Sequence, residues 1–241
     1  DPYFDDLFCG AAAKRYVTQN AFKSIDPKTG RPEYVAEHTP RKGVLIDFCP
    51  SLWGGKDWPP AAYNPMTKLV YIPSNDHHCG SLKSKAEEPM VAGELKLGVE
   101  IPDIKMIIDP NTKTIGKLQA WDMAKGQRVW AQDFVSHSFG PVLTTAGNLV
   151  FQGGTNDRYF RAFDATTGKQ LWQFRTNSGV TAVPISYMVD GVQYVAVQSG
   201  WGVDAERMQG SLIAAGYKAK NYNPDVPIPQ GGVLWVFAVG K

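Results

Sequence analysis

Two stretches of this chain repeat one another in register. "AWDMAKGQRVW" begins at Ala120 and "AFDATTGKQLW" at Ala162, so Asp122, Gly126 and Trp130 return forty-two residues later as Asp164, Gly168 and Trp172. A period in that range belongs to a propeller of four-stranded blades or to another repeat array. Each residue type has a physical task. The carboxylates of Asp122 and Asp164 can accept backbone N–H groups of a turn. Gly126 and Gly168 permit the positive φ of a hairpin bend. Ala120 and Ala162 keep their strands thin, and Trp130 and Trp172 offer large flat surfaces whose single N–H needs a partner. An indole repeated once per sheet suits the docking of one blade on the next. Weaker echoes occur in "SIDPKTGRPEY" (Asp26, Gly30) and "AYNPMTKLVYI" (Asn64, Lys68). Four turn signals suggest about four blades, and propellers close with four to eight.

The flanks agree with an all-β chain. "GNLVFQGG", "YFRAFDA", "KQLWQFRT", "VPISYMV" and "VQYVAVQSG" each fit a short strand, and helical periodicity is weak. A hydrophobic share of 43% over 241 residues is ample for a packed core. The net charge of +2 and the scatter of Lys and Arg argue against a nucleic-acid partner. No apolar run approaches the length of a membrane-spanning helix. The first ten residues, "DPYFDDLFCG", lack the basic and apolar regions of a signal peptide. A mature secreted chain, a piece of a longer one and a cytoplasmic protein would all look like this. Cys49 and Cys79 bracket a segment whose ends could come together, as a disulfide or as two buried thiols, and Cys9 has no evident partner.

The repeat resembles the tryptophan-docking motif of the quinoprotein alcohol dehydrogenases, whose catalytic subunit is an eight-bladed β-propeller. The likeness runs from about Lys14 to the end of the chain. "CPSLWGGKDWPPAAYNPMTKLVYIPSND" (49–76) is its most specific stretch. "GPVLTTAGNLVFQGGTNDRYFRAFDATTGKQLWQF" is similar to the penultimate blade, and "VAVQSGWG" with "GGVLWVFAV" to the closing one. The resemblance implies that residues 1–241 form the C-terminal half of one such propeller domain, about four blades of eight. It implies pyrroloquinoline quinone on the propeller axis with a calcium or lanthanide ion. It also implies oxidation of alcohols or aldehydes by hydride transfer, with electrons passed to a cytochrome c. The family's catalytic base and metal ligands have no counterparts here and are expected in the N-terminal half, on the same or another chain. The half alone is expected to be inactive.

Carried over position by position, the resemblance assigns Asp57, in "GGKDW", a side chain facing the quinone, and Trp58 a place on the axial cavity. A loop-capping carboxylate and plain packing are the alternatives. Gly200, Trp201 and Gly202, in "SGWGVD", match a loop that gives backbone and indole contacts to the cofactor's carboxylates. Val203 stands where many relatives have a further Gly, which affects the path of that loop. Phe139, in "SHSFGPV", is either cavity wall or core. The resemblance also implies a Cys49–Cys79 disulfide and, with it, an oxidising compartment, the periplasm. By chain entropy such a bridge is worth about 3–4 kcal/mol.

Other signals carry less. His77, His78 and Cys79 adjoin, but neighbouring strand residues point to opposite faces and cannot share one ion unless a turn intervenes. His38 and His137 are isolated. "FQGGTND" (151–157) lacks the GK[ST] of a phosphate loop and reads as a hairpin turn. Residues 81–114 and 216–232 read as long loops, the first between blades and with one or two strands. A non-catalytic propeller scaffold is the main alternative to an enzyme; a lectin-like β domain has no support from the repeat. "GGKDW" and "SGWG" discriminate, since a scaffold has no need of such loops aimed at the axis. Half a propeller would also expose an apolar blade face at each open end, so pairing with the missing blades is expected.

Overall fold

The computed structural model describes residues 14–85, 89–94, 96–99, 103–220, 222 and 227–238. Cys9 lies outside them. A hairpin of β1 (Phe22–Ile25) and β2 (Pro32–Tyr34) comes first. Two complete antiparallel blades follow. One has the order β4 (Ala62–Asn64), β5 (Leu69–Asn75), β8 (Gly116–Asp122), β9 (Gln127–Phe134). The other runs β10 (Val142–Thr145), β11 (Leu149–Gln152), β12 (Tyr159–Asp164), β13 (Gln170–Arg175). A three-stranded sheet of β14 (Ile185–Val189), β15 (Val192–Ser199) and β16 (Val233–Ala238) completes the series.

The repeat is visible as identical local geometry. Ala120 pairs with Trp130 and Ala162 with Trp172, and each ladder slips by a bulge directly after the alanine. Asp122 Oδ1 accepts the Lys125 N–H at 3.0 Å, and Asp164 Oδ1 accepts the Thr166 and Thr167 N–H groups at 3.0 and 2.7 Å. These N–H donors hold both carboxyls below their ordinary pKa. Asp26 does the same with the Lys28 N–H in the first hairpin. The fourth signal, Asn64 to Lys68, is the β4–β5 turn, with Lys68 at φ 58° where the other turns use glycine. It therefore shares a blade with the Asp122 turn.

The seam between the two complete blades shows what the indole does. Trp130 lies over Gly168 of the next blade so closely that a Cβ there would sit 2.5 Å from its ring. Its Nε1–H donates to the Ala165 carbonyl at 3.0 Å, as does the Tyr71 hydroxyl. Gln132 donates to the Gly168 carbonyl at 2.8 Å. Leu69, Tyr71, Leu118, Val142, Val150 and Phe163 fill the seam. Trp172 is 38% exposed, its ring edge-on to Phe237 at 5.1 Å. Tyr34, eight residues after Asp26 and so at the indole's place in the first turn, is 64% exposed. Of the apolar faces expected at the open ends, one is present on the β14–β15–β16 sheet, where Ile185, Val189, Leu234 and Val236 share one side and are exposed.

Two features differ from the expectation. The insertion read as an inter-blade loop lies within a blade, between β5 and β8. Its β6 (His78–Lys83) and β7 (Lys105–Ile108) pair with β3 (Leu45–Phe48) in a separate sheet. The Cys49–Cys79 disulfide, thirty residues apart in sequence, ties β6 to the end of β3. Second, residues 203–214 form a helix, α1 (Val203–Ala214). Its apolar positions, Ala205, Met208 and Leu212, follow helical spacing and pack on Ile115, Phe139, Trp201, Tyr217 and Tyr222. The strand-rich context and Gly210 inside the segment hide that short stripe in the sequence.

Candidate cofactor-binding site

The expected site residues lie on two loops. The first, Ser51–Pro60, leaves the disulfide and is pinned at several points. The Ser51 N–H donates to the His78 carbonyl at 3.2 Å, and the Asn75 N–H donates to the Gly55 carbonyl at 2.8 Å. The Trp53 indole reaches the Ser211 hydroxyl of α1 at 3.3 Å. Within this frame Asp57 is exposed, and its Oδ1 accepts the Trp58 N–H at 2.8 Å. The capping role is therefore present, and the second oxygen remains open to a donor or a cation. Trp58 is 51% exposed.

The second loop, Gly200–Trp201–Gly202, connects β15 to α1. The Gly200 N–H donates to the Gly179 carbonyl at 2.6 Å, and Gly202 sits at φ 61°, ψ 155° as the N-cap of α1. Only a glycine adopts that backbone cheaply, and glycine brings no side chain to cap the helix. Val203 is the first helical residue, which settles the path of the loop. The Trp201 indole is 1% exposed, laid so tightly on Gly179 that a Cβ there would be 2.0 Å from the ring. The indole is thus the loop's anchor, and the loop presents to solvent Gly202 and the N-terminus of α1.

Phe139 and His137 join the two loops. Trp58 meets Phe139 edge-on at 5.8 Å, Phe139 meets His137 at 6.3 Å, and His137 meets Trp201 at 5.2 Å. Phe139 is fully buried. The segment bearing both rings is bolted to its neighbours. Asn75 bonds the Ser138 N–H and carbonyl at 2.7 and 3.2 Å, Gln152 bonds the Ser138 hydroxyl at 2.6 Å, and the Phe139 N–H donates to the Gly154 carbonyl at 2.9 Å.

His137 was unremarkable in the sequence, with no motif to single it out; only the fold places it behind Trp201. Neither of its ring nitrogens, nor Nε2 of buried His78, forms a hydrogen bond of good geometry, and the Ala205 backbone of α1 is the polar group that acts on the His137 ring. Nδ1 of His78 meets the Ser51 hydroxyl at 2.8 Å. Burial lowers the pKa of His137 to about 3, with neighbouring His78 adding to the effect. Burial likewise lowers His78 to about 4, against an opposing pull from Asp76. An imidazolium at His137 would gain up to about 2 kcal/mol from the indole face. Withdrawing that charge from water costs several kcal/mol, so the neutral ring wins. His77 is turned outward at φ 61° and Cys79 is in the disulfide, so the three adjoining residues do not converge. Among the described residues no group of three or more His, Cys, Asp or Glu side chains could hold a metal ion.

Residues 16–195 match the family model for the glucose/ethanol/alcohol dehydrogenase β-propeller domain that carries the name PQQ. This chain belongs to that family. It is 37% identical over 209 residues to the quinohemoprotein alcohol dehydrogenase ADH-IIG of Pseudomonas putida, covering 83% of this chain and 29% of that one. It is 38% identical over 227 residues to the 1-butanol dehydrogenase (quinone) of Thauera butanivorans, covering 90% of this chain and 33% of the relative. A europium-containing methanol dehydrogenase superposes with a TM-score of 0.79 at 33% identity, over 95% of this chain and 41% of that one. The chain spans about a third of the length of the curated relatives it matches.

The residues present fit the cofactor of this family. An uncapped helix start offers backbone N–H groups and a positive dipole end to an anion. Exposed Trp58 offers a flat apolar surface and Asp57 an open carboxylate oxygen.

Proposed function

We propose that this chain is the C-terminal part of a pyrroloquinoline-quinone-dependent dehydrogenase that oxidises alcohols or aldehydes. The observation that carries the reading is the row of ring contacts, in a member of this family, that links the Asp57–Trp58 loop to the Gly200–Trp201–Gly202 loop through Phe139 and His137. A scaffold needs docking seams but not these loops.

When bound, the quinone supplies the hydride acceptor, with a calcium or lanthanide ion as Lewis acid. On this chain, Trp58 provides a flat face for the ring system and Asp57 accepts a hydrogen bond or meets the cation. Gly202 and the first turn of α1 would offer backbone N–H groups to the cofactor's carboxylates, while Gly200 is held by its bond to the Gly179 carbonyl. The base that takes the alcohol proton and the ligands that hold the cation belong to the remaining blades. Those blades also cover the apolar face of the β14–β15–β16 sheet. A cytochrome c would serve as the electron acceptor of such an enzyme, and the disulfide suits a periplasmic location.

The test is reconstitution of the full-length protein with pyrroloquinoline quinone and calcium or a lanthanide, followed by a dye-linked assay over an alcohol panel. Turnover with a bound-quinone spectrum supports the reading, and Asp57→Ala should reduce quinone affinity. Neither spectrum nor turnover would favour a scaffold. This chain alone should self-associate or fold poorly, and a cooperative monomer on size exclusion would count against the need for further blades.

A further inference from the structure

We infer that His137 is a positioning residue: its imidazole, wedged between Trp201 and Phe139, fixes the indole that anchors the Gly200–Trp201–Gly202 loop and the start of α1. This rests on the proposed role of that loop in holding the quinone.

Three observations lead to it. The Trp201 indole lies on Gly179, which has no side chain to adjust, and within the aliphatic side chains of its core cluster; His137 is the flat ring that meets it, at 5.2 Å and a tilt of 44°. The main chain of His137 cannot shift to compensate. The neighbouring Ser136 carbonyl accepts the Gly116 N–H at 2.9 Å, Ser138 is bound to Asn75 and Gln152, and Cβ atoms at Gly116 or Gly140 would strike backbone. Finally, neither ring nitrogen forms a hydrogen bond of good geometry, and the polar group that acts on the ring is the Ala205 backbone of α1 itself, so the aromatic contacts and the start of the helix together define its orientation.

The surroundings favour an uncharged ring. His78 is the titratable group that acts on it, and His78 itself faces Asp76 and His77. The acidic residues of the first turn of α1, Asp204 and Glu206, are exposed and turned to solvent. A flat, neutral ring is therefore the property that position 137 needs for this task, and phenylalanine shares it while alanine and glutamine do not.

The experiment uses the full-length protein labelled with 5-fluorotryptophan, its Trp201 resonance assigned with Trp201→Phe. Fluorine NMR of the cofactor-free protein and titration with pyrroloquinoline quinone are run on wild type, His137→Ala, His137→Gln and His137→Phe. The expected result is a displaced or broadened Trp201 resonance and at least tenfold weaker quinone binding in the Ala and Gln variants. His137→Phe should restore both. Wild-type resonance and affinity in a folded His137→Ala or His137→Gln protein would overturn the inference. So would a displaced resonance with unchanged affinity, because the loop would then not depend on the indole. Should wild type bind no quinone, the functional reading fails, while the resonance still tests whether His137 sets the indole.

Discussion

Trp130 and Trp201 are both large indoles laid on a glycine, and they are held by opposite means. Trp130 rests on Gly168 and spends its N–H on the Ala165 carbonyl, in a seam where Tyr71 and Gln132 also find partners. Trp201 rests on Gly179 and is steadied by an imidazole whose nitrogens form no hydrogen bond of good geometry. A seam with its polar groups satisfied is what stability alone selects. Buried nitrogens left without partners cost about 1–3 kcal/mol each and are tolerated where a site demands them. The difference separates an indole whose docking spends every polar group from one packed among rings and aliphatic side chains, on the loop proposed to hold the quinone.

Acidification should strain the Trp201 side most. Both histidines are held neutral in the fold, so their folded pKa values, about 3 and about 4, lie below the unfolded value of 6.5. The unfolded chain takes up protons first, and stability falls as pH drops from 6.5 toward 4. The loss at pH 4 is about 3 kcal/mol per histidine. Urea midpoints measured across that range should decline, and His78→Gln should flatten the decline; a flat wild-type profile would erase the distinction between the two indoles.

Trp130→Ala should cost about 3–5 kcal/mol in the intact protein, read by chemical denaturation. A cost below that of a surface substitution would mean the seam is not what holds the blades. Gly168→Ala should follow at about 2–4 kcal/mol, because a Cβ meets both the indole and a φ of +73°. Gly30→Ala, at φ +68° with open space around it, should cost only about 1–2 kcal/mol. Equal losses at the two glycines would show that backbone conformation, not docking, sets the requirement. The smallest effect is expected for Trp172→Ala in the intact protein, about 1–2 kcal/mol for a ring 38% exposed and edge-on to Phe237; a loss equal to that of Trp130→Ala would show that the two indoles dock alike.

The docking seams were legible in the sequence because each is written locally: alanine, aspartate, glycine and tryptophan lie within eleven residues of chain. The strands from Leu149 to Ser199 were legible for the same reason. The detour between β5 and β8 was not, since nothing local says that a chain leaving a blade returns to it. Helix α1 was hidden because its apolar stripe is short. The partnership of Asp57, Trp58 and the Gly200–Gly202 loop came from resemblance. His137 escaped entirely, because its role depends on Gly179, Trp201 and Phe139, which only the fold assembles.

The detour has a kinetic consequence. β5 and β8 are adjacent in space, Leu69 opposite Asp122, yet a second sheet stands between them along the chain. Closing their ladder is an entropically expensive non-local event until the intervening segment compacts. The Cys49–Cys79 bridge ties β6, the first strand of that segment, back to the end of β3, so thiol oxidation should accelerate assembly of this blade as well as protect it afterward.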